Sequence, residues 1–309
     1  MRNYRGWLLA ASAAAACGLL IVGLQWQRSR AVATPEALWS RLPAREAAVF
    51  YIDFAALRRT GFLEIAGASA VAAEPEYRDF IEKTRFDYTR DLDSVMAAFA
   101  PSGRYFLVRG RFDWPRLRAW AAESGGRCRN RFCTMPGSTP QRKISFLPLR
   151  DDLMAMAVGP DEMAVEALTR PSAASRPLEM PSDPVWASLP PAALKSGDSF
   201  PAGTRMFARG LEEAENVLLA LGPDGPRFAL RLDVRCRSAG EAEALAETMR
   251  RATGVLRGMI ERERQTPNPR DLSGVLTAGS FRSEGARVRG YWPVERAFFE
   301  EIFRGAPPS

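Results

Sequence analysis

In Phe228, Leu230, Leu232, Val234 and Cys236 the apolar residues alternate with Arg231, Asp233 and Arg235. A period of two with one polar side specifies an antiparallel strand that is wet on one face. The period then changes. Ala242, Leu245, Met249, Ala252, Leu256, Met259 and Ile260 recur at helical spacing, predicting a long helix over about 239–264 whose narrow stripe lies across that sheet. Upstream, 217–221 is a strand, and Gly222-Pro223-Asp224-Gly225 is the turn between the two.

The same strand–turn–strand–helix order recurs. Residues 94–100 and 105–110 flank Pro101-Ser102-Gly103, and Asp113 caps a helix opened by Trp114-Pro115. Residues 144–149 and 153–158 flank Arg150-Asp151-Asp152, with a helix over 160–168. Residues 275–281 and 286–291 flank Ser283-Glu284-Gly285, and Pro293 opens the last helix. The expected class is α+β: duplicated strand-strand-helix units forming antiparallel sheet covered by helices on one face, preceded by an N-terminal transmembrane helix.

Identities support duplication. Arg90-Asp91-Leu92-x-x-Val95-x-x-Ala98, Val108-Arg109-Gly110 and Trp114-Pro115-x-x-Arg118-Ala119 return as Arg270-Asp271-Leu272-x-x-Val275-x-x-Ala278, Val288-Arg289-Gly290 and Trp292-Pro293-x-x-Arg296-Ala297. Twelve positions match, where an unrelated pair shares about two or three. A weaker match sets Val95, Ala98, Pro101, Gly103 and Phe106 against Val217, Ala220, Pro223, Gly225 and Phe228. The chain divides into an anchor and juxtamembrane segment (1–33), a first half (34–172), a linker (173–183) and a second half (184–309), the linker being rich in Pro and Ser.

Arg2 and Arg5 precede an uncharged stretch, Gly6 to Trp26, long enough to span a bilayer. An uncleaved signal anchor fits its length and the return of charge at Arg28; cleavage after Ala31-Val32-Ala33 and lipidation at Cys17 are the alternatives. Each exports the rest of the chain, giving a single-pass protein of the cytoplasmic membrane with an extracytoplasmic domain. Cys128 and Cys133 suit a bridge across a small loop in such an oxidising compartment. Cys236 falls on the apolar side of its strand as a buried free thiol. The net charge of +7 shrinks once the four arginines before Ala31 are set aside, leaving 39 basic against 36 acidic residues. That balance gives no nucleic-acid signal. One local cluster remains, Arg127, Arg129, Arg131, Arg142 and Lys143, which suits an anionic ligand or a solvated hairpin tip.

Candidate chemistry is sparse. The chain has no histidine, which removes the commonest general base and the Ser-His-Asp and Cys-His arrangements. Phosphate-loop, dinucleotide and serine-hydrolase signatures are missing. Paired carboxylates remain, Asp91 with Asp93 and Asp151 with Asp152, as acid and base of a glycosidase-like site; turns and caps also favour Asp. Asp53 is placed to cap a helix at Ala55. Trp114 and Trp292 are expected to open helices in equivalent places.

The run Arg90-Asp91-Leu92, the step Val108-Arg109-Gly110-Arg111-Phe112-Asp113 and the Gly125-Gly126-x-Cys128 hairpin resemble a family of membrane-anchored bacterial envelope proteins of unknown function. The resemblance covers nearly all of the chain after Thr34 and implies no reaction, cofactor or catalytic residue. The expectation is a non-enzymatic envelope binding or scaffold protein with a protein partner, engaged where an exposed sheet edge accepts another strand. Alternatives are a lipid or glycan between the halves, and a carboxylate-dependent hydrolase of envelope polymers.

Overall fold

In the computed structural model, which describes residues 34–44, 46–65, 75–171, 179–194 and 210–303, both halves build one sheet. Its strands are β1 (Ala48–Asp53), β2 (Leu92–Ala100), β3 (Gly103–Gly110), β4 (Arg127–Arg129), β5 (Phe132–Pro136), β6 (Lys143–Arg150), β7 (Leu153–Gly159), β8 (Val185–Leu189), β9 (Asn216–Asp224), β10 (Arg227–Arg235), β11 (Ser280–Glu284) and β12 (Arg287–Val294). They lie side by side as β11-β12-β10-β9-β8-β1-β2-β3-β7-β6-β5-β4. Every pairing is antiparallel.

The order is symmetric about the β1–β8 pair, where Phe50 lies opposite Ala187, except that β5 and β4 extend the first half's side without counterparts. An antiparallel pair at the centre gives a pseudo-twofold axis normal to the sheet. Register defines the equivalences. Ala48 faces Phe99 and Ile52 faces Val95; in the second half Val185 faces Leu221 and Leu189 faces Val217. Val95 and Ala98 therefore answer to Val217 and Ala220, as the weaker sequence match proposes, but Phe106 answers to Leu232 and not to Phe228.

The twelve-residue match does not follow this axis. Leu92–Ala100 is strand, whereas Leu272–Thr277 is a helix capped by Asp271, whose carboxylate accepts from the Ser273 N–H at 2.7 Å. Trp114 opens a helix, but Trp292 and Pro293 lie within β12, opposite Leu230 and Ala229. The strand tolerates Pro293 because β11 pairs with β12 only as far as Tyr291, so no ladder partner is lost there.

Helices cover both faces, not one. They are α1 (Pro35–Trp39), α2 (Phe54–Arg59), α3 (Phe62–Ile65), α4 (Pro75–Thr84), α5 (Tyr88–Asp91), α6 (Trp114–Glu123), α7 (Pro191–Leu194), α8 (Ala239–Arg262), α9 (Leu272–Thr277) and α10 (Arg296–Phe303), with a 3₁₀ turn at Ala164–Leu168 in place of the expected helix. On one face, Leu38 and Trp39 of α1, Leu42, and Val165 and Leu168 of the 3₁₀ turn pack on Tyr51, Met96, Leu107 and Trp186. On the other, α8, α9 and α10 pack on Phe228, Leu232, Val234 and Trp292. A separate small core joins α6 to Cys133, Met135 and Phe146.

The α8 stripe is buried from Ala242 to Ala252, but Met259 stands 49% exposed, so the last turns project past the sheet. Asp53 caps α2 as expected, accepting from the Ala56 N–H at 2.7 Å. Among the described residues no helix is long and apolar enough to cross a membrane; the expected anchor lies outside the described residues.

The core at the axis is aromatic. Trp186 is 2% exposed and stacks on Tyr51 with ring centroids 5.3 Å apart, and it tilts against Trp39 at 6.1 Å. Trp186→Ala should therefore cost about 3–5 kcal/mol, read as a lower urea midpoint. A loss below about 1 kcal/mol would place this indole outside the core.

Candidate functional site

The two halves treat the same sheet face differently. Ala98 faces Tyr105 as Ala220 faces Arg231; Leu107 faces Ala155 as Asp233 faces Arg289; Tyr105 faces Ala157 as Arg231 faces Tyr291. Tyr105, Leu107, Ala155 and Ala157 of the first half thus occupy the places of Arg231, Asp233, Arg289 and Tyr291. The first set is buried under α1 and the 3₁₀ turn. The second set borders an open trough of about 690 Å³.

Local chain paths explain the difference. After β7 the 3₁₀ turn packs onto this face, whereas after β12 the helix α10 packs onto the opposite one through Phe298 and Phe299. Before β1 the chain brings Leu38 and Leu42 to the face; before β8 it brings Glu179 and Asp183. The trough is left with a floor of Leu218 and Ala220 and with charged walls.

Its charges form a paired lattice. Arg231 donates to Asp183 at 2.7 Å and lies 3.8 Å from Asp224. Asp233 takes Arg289 at 3.2 Å and Arg287 at 3.8 Å. Arg282 pairs with Glu284 at 2.7 Å. At the trough's end the Tyr291 hydroxyl donates to Asp224 at 2.6 Å and accepts from Arg227 at 3.2 Å. The tyrosine hydrogen bond, then Arg227 and Arg231, hold the Asp224 carboxyl below the usual carboxylate range. The same bond to Asp224 raises the Tyr291 phenol. Such a surface offers fixed donors and acceptors for a polar ligand. A second cavity of about 580 Å³, lined by Ala56, Arg59, Thr60 and Pro223, adjoins it through Ser182, Asp183 and Arg231.

The expected basic cluster is only partly assembled. Arg127, Arg142 and Lys143 border a cavity of about 410 Å³, while Arg129 and Arg131 lie at the β4–β5 hairpin, outside its lining. An acid stands among them in space: Glu162 pairs with Lys143, which, with Arg127 adding, holds its carboxyl below the usual range. The Cys128–Cys133 disulfide is present, joining residues directly opposed across β4 and β5. Cys236 is a buried free thiol, and burial pushes its pKa up.

Three of the candidate carboxylates are engaged by arginines. Asp91 pairs with Arg111 at 2.9 Å, Asp93 with Arg109 at 3.8 Å and Asp152 with Arg150 at 2.6 Å. None of these, nor Asp151, lines any of the three cavities above. Sequence reading placed the wet face on β10 but missed the trough, because Glu179 and Asp183 fall in a stretch read as linker. The signal available was a second alternation, Arg287-x-Arg289-x-Tyr291, matching Arg231-x-Asp233-x-Arg235.

No family model matches the chain, and no curated protein does. Among solved structures, crystal form I of TP0453 aligns over 83% of this chain and 92% of that one, at 10% identity and a TM-score of 0.46. Crystal form III aligns over 84% and 94%, at 7% identity and a TM-score of 0.44.

A carboxyl with a depressed folded pKa adds stability above its unfolded value of about 3.9 and loses it as pH falls through the folded value. Tyr291→Phe removes the bond that depresses Asp224, so the variant should unfold at lower urea than the parent at pH 7. That gap should narrow below the unfolded value and close as pH falls through the folded one. A gap that persists at low pH would assign the loss to packing.

Proposed function

We propose that this is a non-enzymatic binding protein of the cell envelope, held at the outer side of the cytoplasmic membrane by its N-terminal segment and gripping a protein partner on the trough of its second half. The observation that carries the reading is the contrast between equivalent positions. The first half uses this face for core; the second lines it with arginines, carboxylates and a tyrosine and leaves it open. The Asp183 and Asp233 carboxylates are largely buried, but the pairs Arg227–Asp224, Arg282–Glu284 and Arg289–Glu284 are half-exposed and contribute little to stability, about 0–1 kcal/mol each. Their concentration on one open face therefore favours recognition over folding. The disulfide suits an oxidising compartment.

A partner strand at a sheet edge is the less supported mode. At β11, Arg250 of α8 donates to the Phe281 carbonyl at 3.2 Å, and Glu243 binds Ser283, so the helix reaches over that edge. At the other edge, β4 is three residues long, carries Arg127 and Arg129, and is tied to β5 by the disulfide. Short, charged edges resist strand addition. A second reading, a lipid headgroup or glycan held between the halves, rests on the smaller cavity where Arg59 and Thr60 approach Arg231. Hydrolysis has less support. Asp91 and Asp152 meet at the end of β3, where the Arg111 and Gly110 N–H groups bond their respective carbonyls, but Asp91, Asp93 and Asp152 each pair with an arginine and none lines the trough.

A photo-crosslinking amino acid at Ser280, in the full-length chain expressed in its cell, should capture a discrete protein adduct. The same group at Arg251, on the outer side of α8, should not. Equal labelling from both positions, or none from Ser280, would remove the trough as the binding surface.

A further inference from the structure

The sheet face beneath the trough is not neutral. On its open side β9 to β12 present six arginines, Arg227, Arg231, Arg235, Arg282, Arg287 and Arg289, against three carboxylates, Asp224, Asp233 and Glu284. Arg235 lies directly opposite Arg287, and Arg282 directly opposite Arg289. Like charges facing each other across a ladder destabilise a sheet, so this face calls for anions from outside it.

One of those anions is Glu215, just before β9, which takes Arg235 at 3.3 Å. Two more come from a strap, the residues Glu179-Met180-Pro181-Ser182-Asp183 that precede β8. Glu179 lies 3.3 Å from Arg287 and 3.9 Å from Arg289, and Asp183 accepts from Arg231 at 2.7 Å. Prolines follow both Met180 and Asp183, which biases the strap towards extended backbone. The strap is held unequally: the Glu179 side chain is 70% exposed, that of Asp183 15%. Asp183 is the latch, and it has room only because residue 222 is glycine. A Cβ there would stand 2.1 Å from the Asp183 Oδ1. Arg289 keeps one further donor, a buried Nε without a hydrogen-bond partner in the described residues, 3.5 Å from Glu284.

We propose that the strap is an internal stand-in for an acidic peptide segment, which the trough binds by displacing Glu179 and Asp183 from Arg231, Arg287 and Arg289. The inference rests on the binding reading above and adds the ligand's chemistry: an extended segment with two carboxylates about four residues, or roughly 13 Å, apart. A peptide is favoured over a phosphate-bearing surface because the strap is itself polypeptide and satisfies arginines on two adjacent strands through carboxylates. While the strap is latched, only a fraction of molecules is open, and apparent affinity falls by that fraction.

The test is fluorescence anisotropy of a labelled peptide copying residues 177–185, titrated with the full-length chain. Asp183→Asn and Gly222→Ala, each freeing the latch, should bind it about tenfold more tightly than the parent. Arg231→Ala should lose binding in either background, and a peptide with Gln and Asn for its two acids should bind at least about tenfold more weakly. Asp183→Asn preserves shape, so it decides the matter should Gly222→Ala misfold. Equal affinity of parent and latch variants, or equal binding of the neutral peptide, would overturn the proposal. Competition by phosphatidylglycerol vesicles, without competition by excess unlabelled peptide, would overturn it in favour of a membrane surface. If no variant binds the peptide while Ser280 still crosslinks its partner, the ligand class alone falls; silence in both removes the site as well.

Discussion

The antiparallel pairing of β1 with β8 is the constraint on which the rest of the molecule depends. It joins two strand sets that would each otherwise expose an unpaired edge. It also orients them, since strands related by a twofold normal to the sheet must present the same face on the same side. The pairing is secured from both sides. Tyr51 and Trp186 stack on one face, while Ile52 and Val185 join the core of the other. The Asp53 N–H also donates to the Pro184 carbonyl at 2.7 Å.

Given that axis, one sheet face can be compared with itself. Over the first half it is closed by α1 and the 3₁₀ turn; over the second the covering element has gone to the other side as α10. Helix length makes the reverse trade. The ten residues of α6 cover less than the 24 of α8, and Phe50 and Phe99 stay 39% and 40% exposed on the first half's other face. The face that the second half leaves uncovered carries arginines in excess, and the segment entering β8 supplies two of the carboxylates that balance them. Fold and candidate site are consequences of the same divergence in connections.

Much of the fold was legible because period-two alternation and turn residues act locally. The hairpin at 217–235, the helix after it, the caps at Asp53 and Asp113 and the Cys128–Cys133 bridge all follow from neighbours in sequence. The strongest repeat misled for a physical reason. In Arg-Asp-Leu-x-x-Val, the Leu and Val are three apart, compatible with one face of a helical turn, and an Asp suits a cap. At 271–277 those tendencies prevail and give α9; at 91–95 the pairing of β2 with β1 and β3 overrides them. Trp-Pro likewise reads as a helix start, yet at 292–293 it ends a strand whose outer neighbour has already stopped. The trough was illegible because it depends on which side of the sheet a connection crosses, and no local pattern encodes that.

The continuity of the sheet through its centre can be tested by chemistry. Phe50 and Ala187 are opposed across β1 and β8, and the Asp53–Pro184 hydrogen bond makes theirs a non-hydrogen-bonded pair, with side chains closest together. In a Phe50→Cys/Ala187→Cys chain, oxidised while folded and mapped by mass spectrometry without reduction, a bridge between positions 50 and 187 should form alongside Cys128–Cys133. Two free thiols at 50 and 187 in folded, oxidised protein would contradict the single sheet and the axis from which the site was derived.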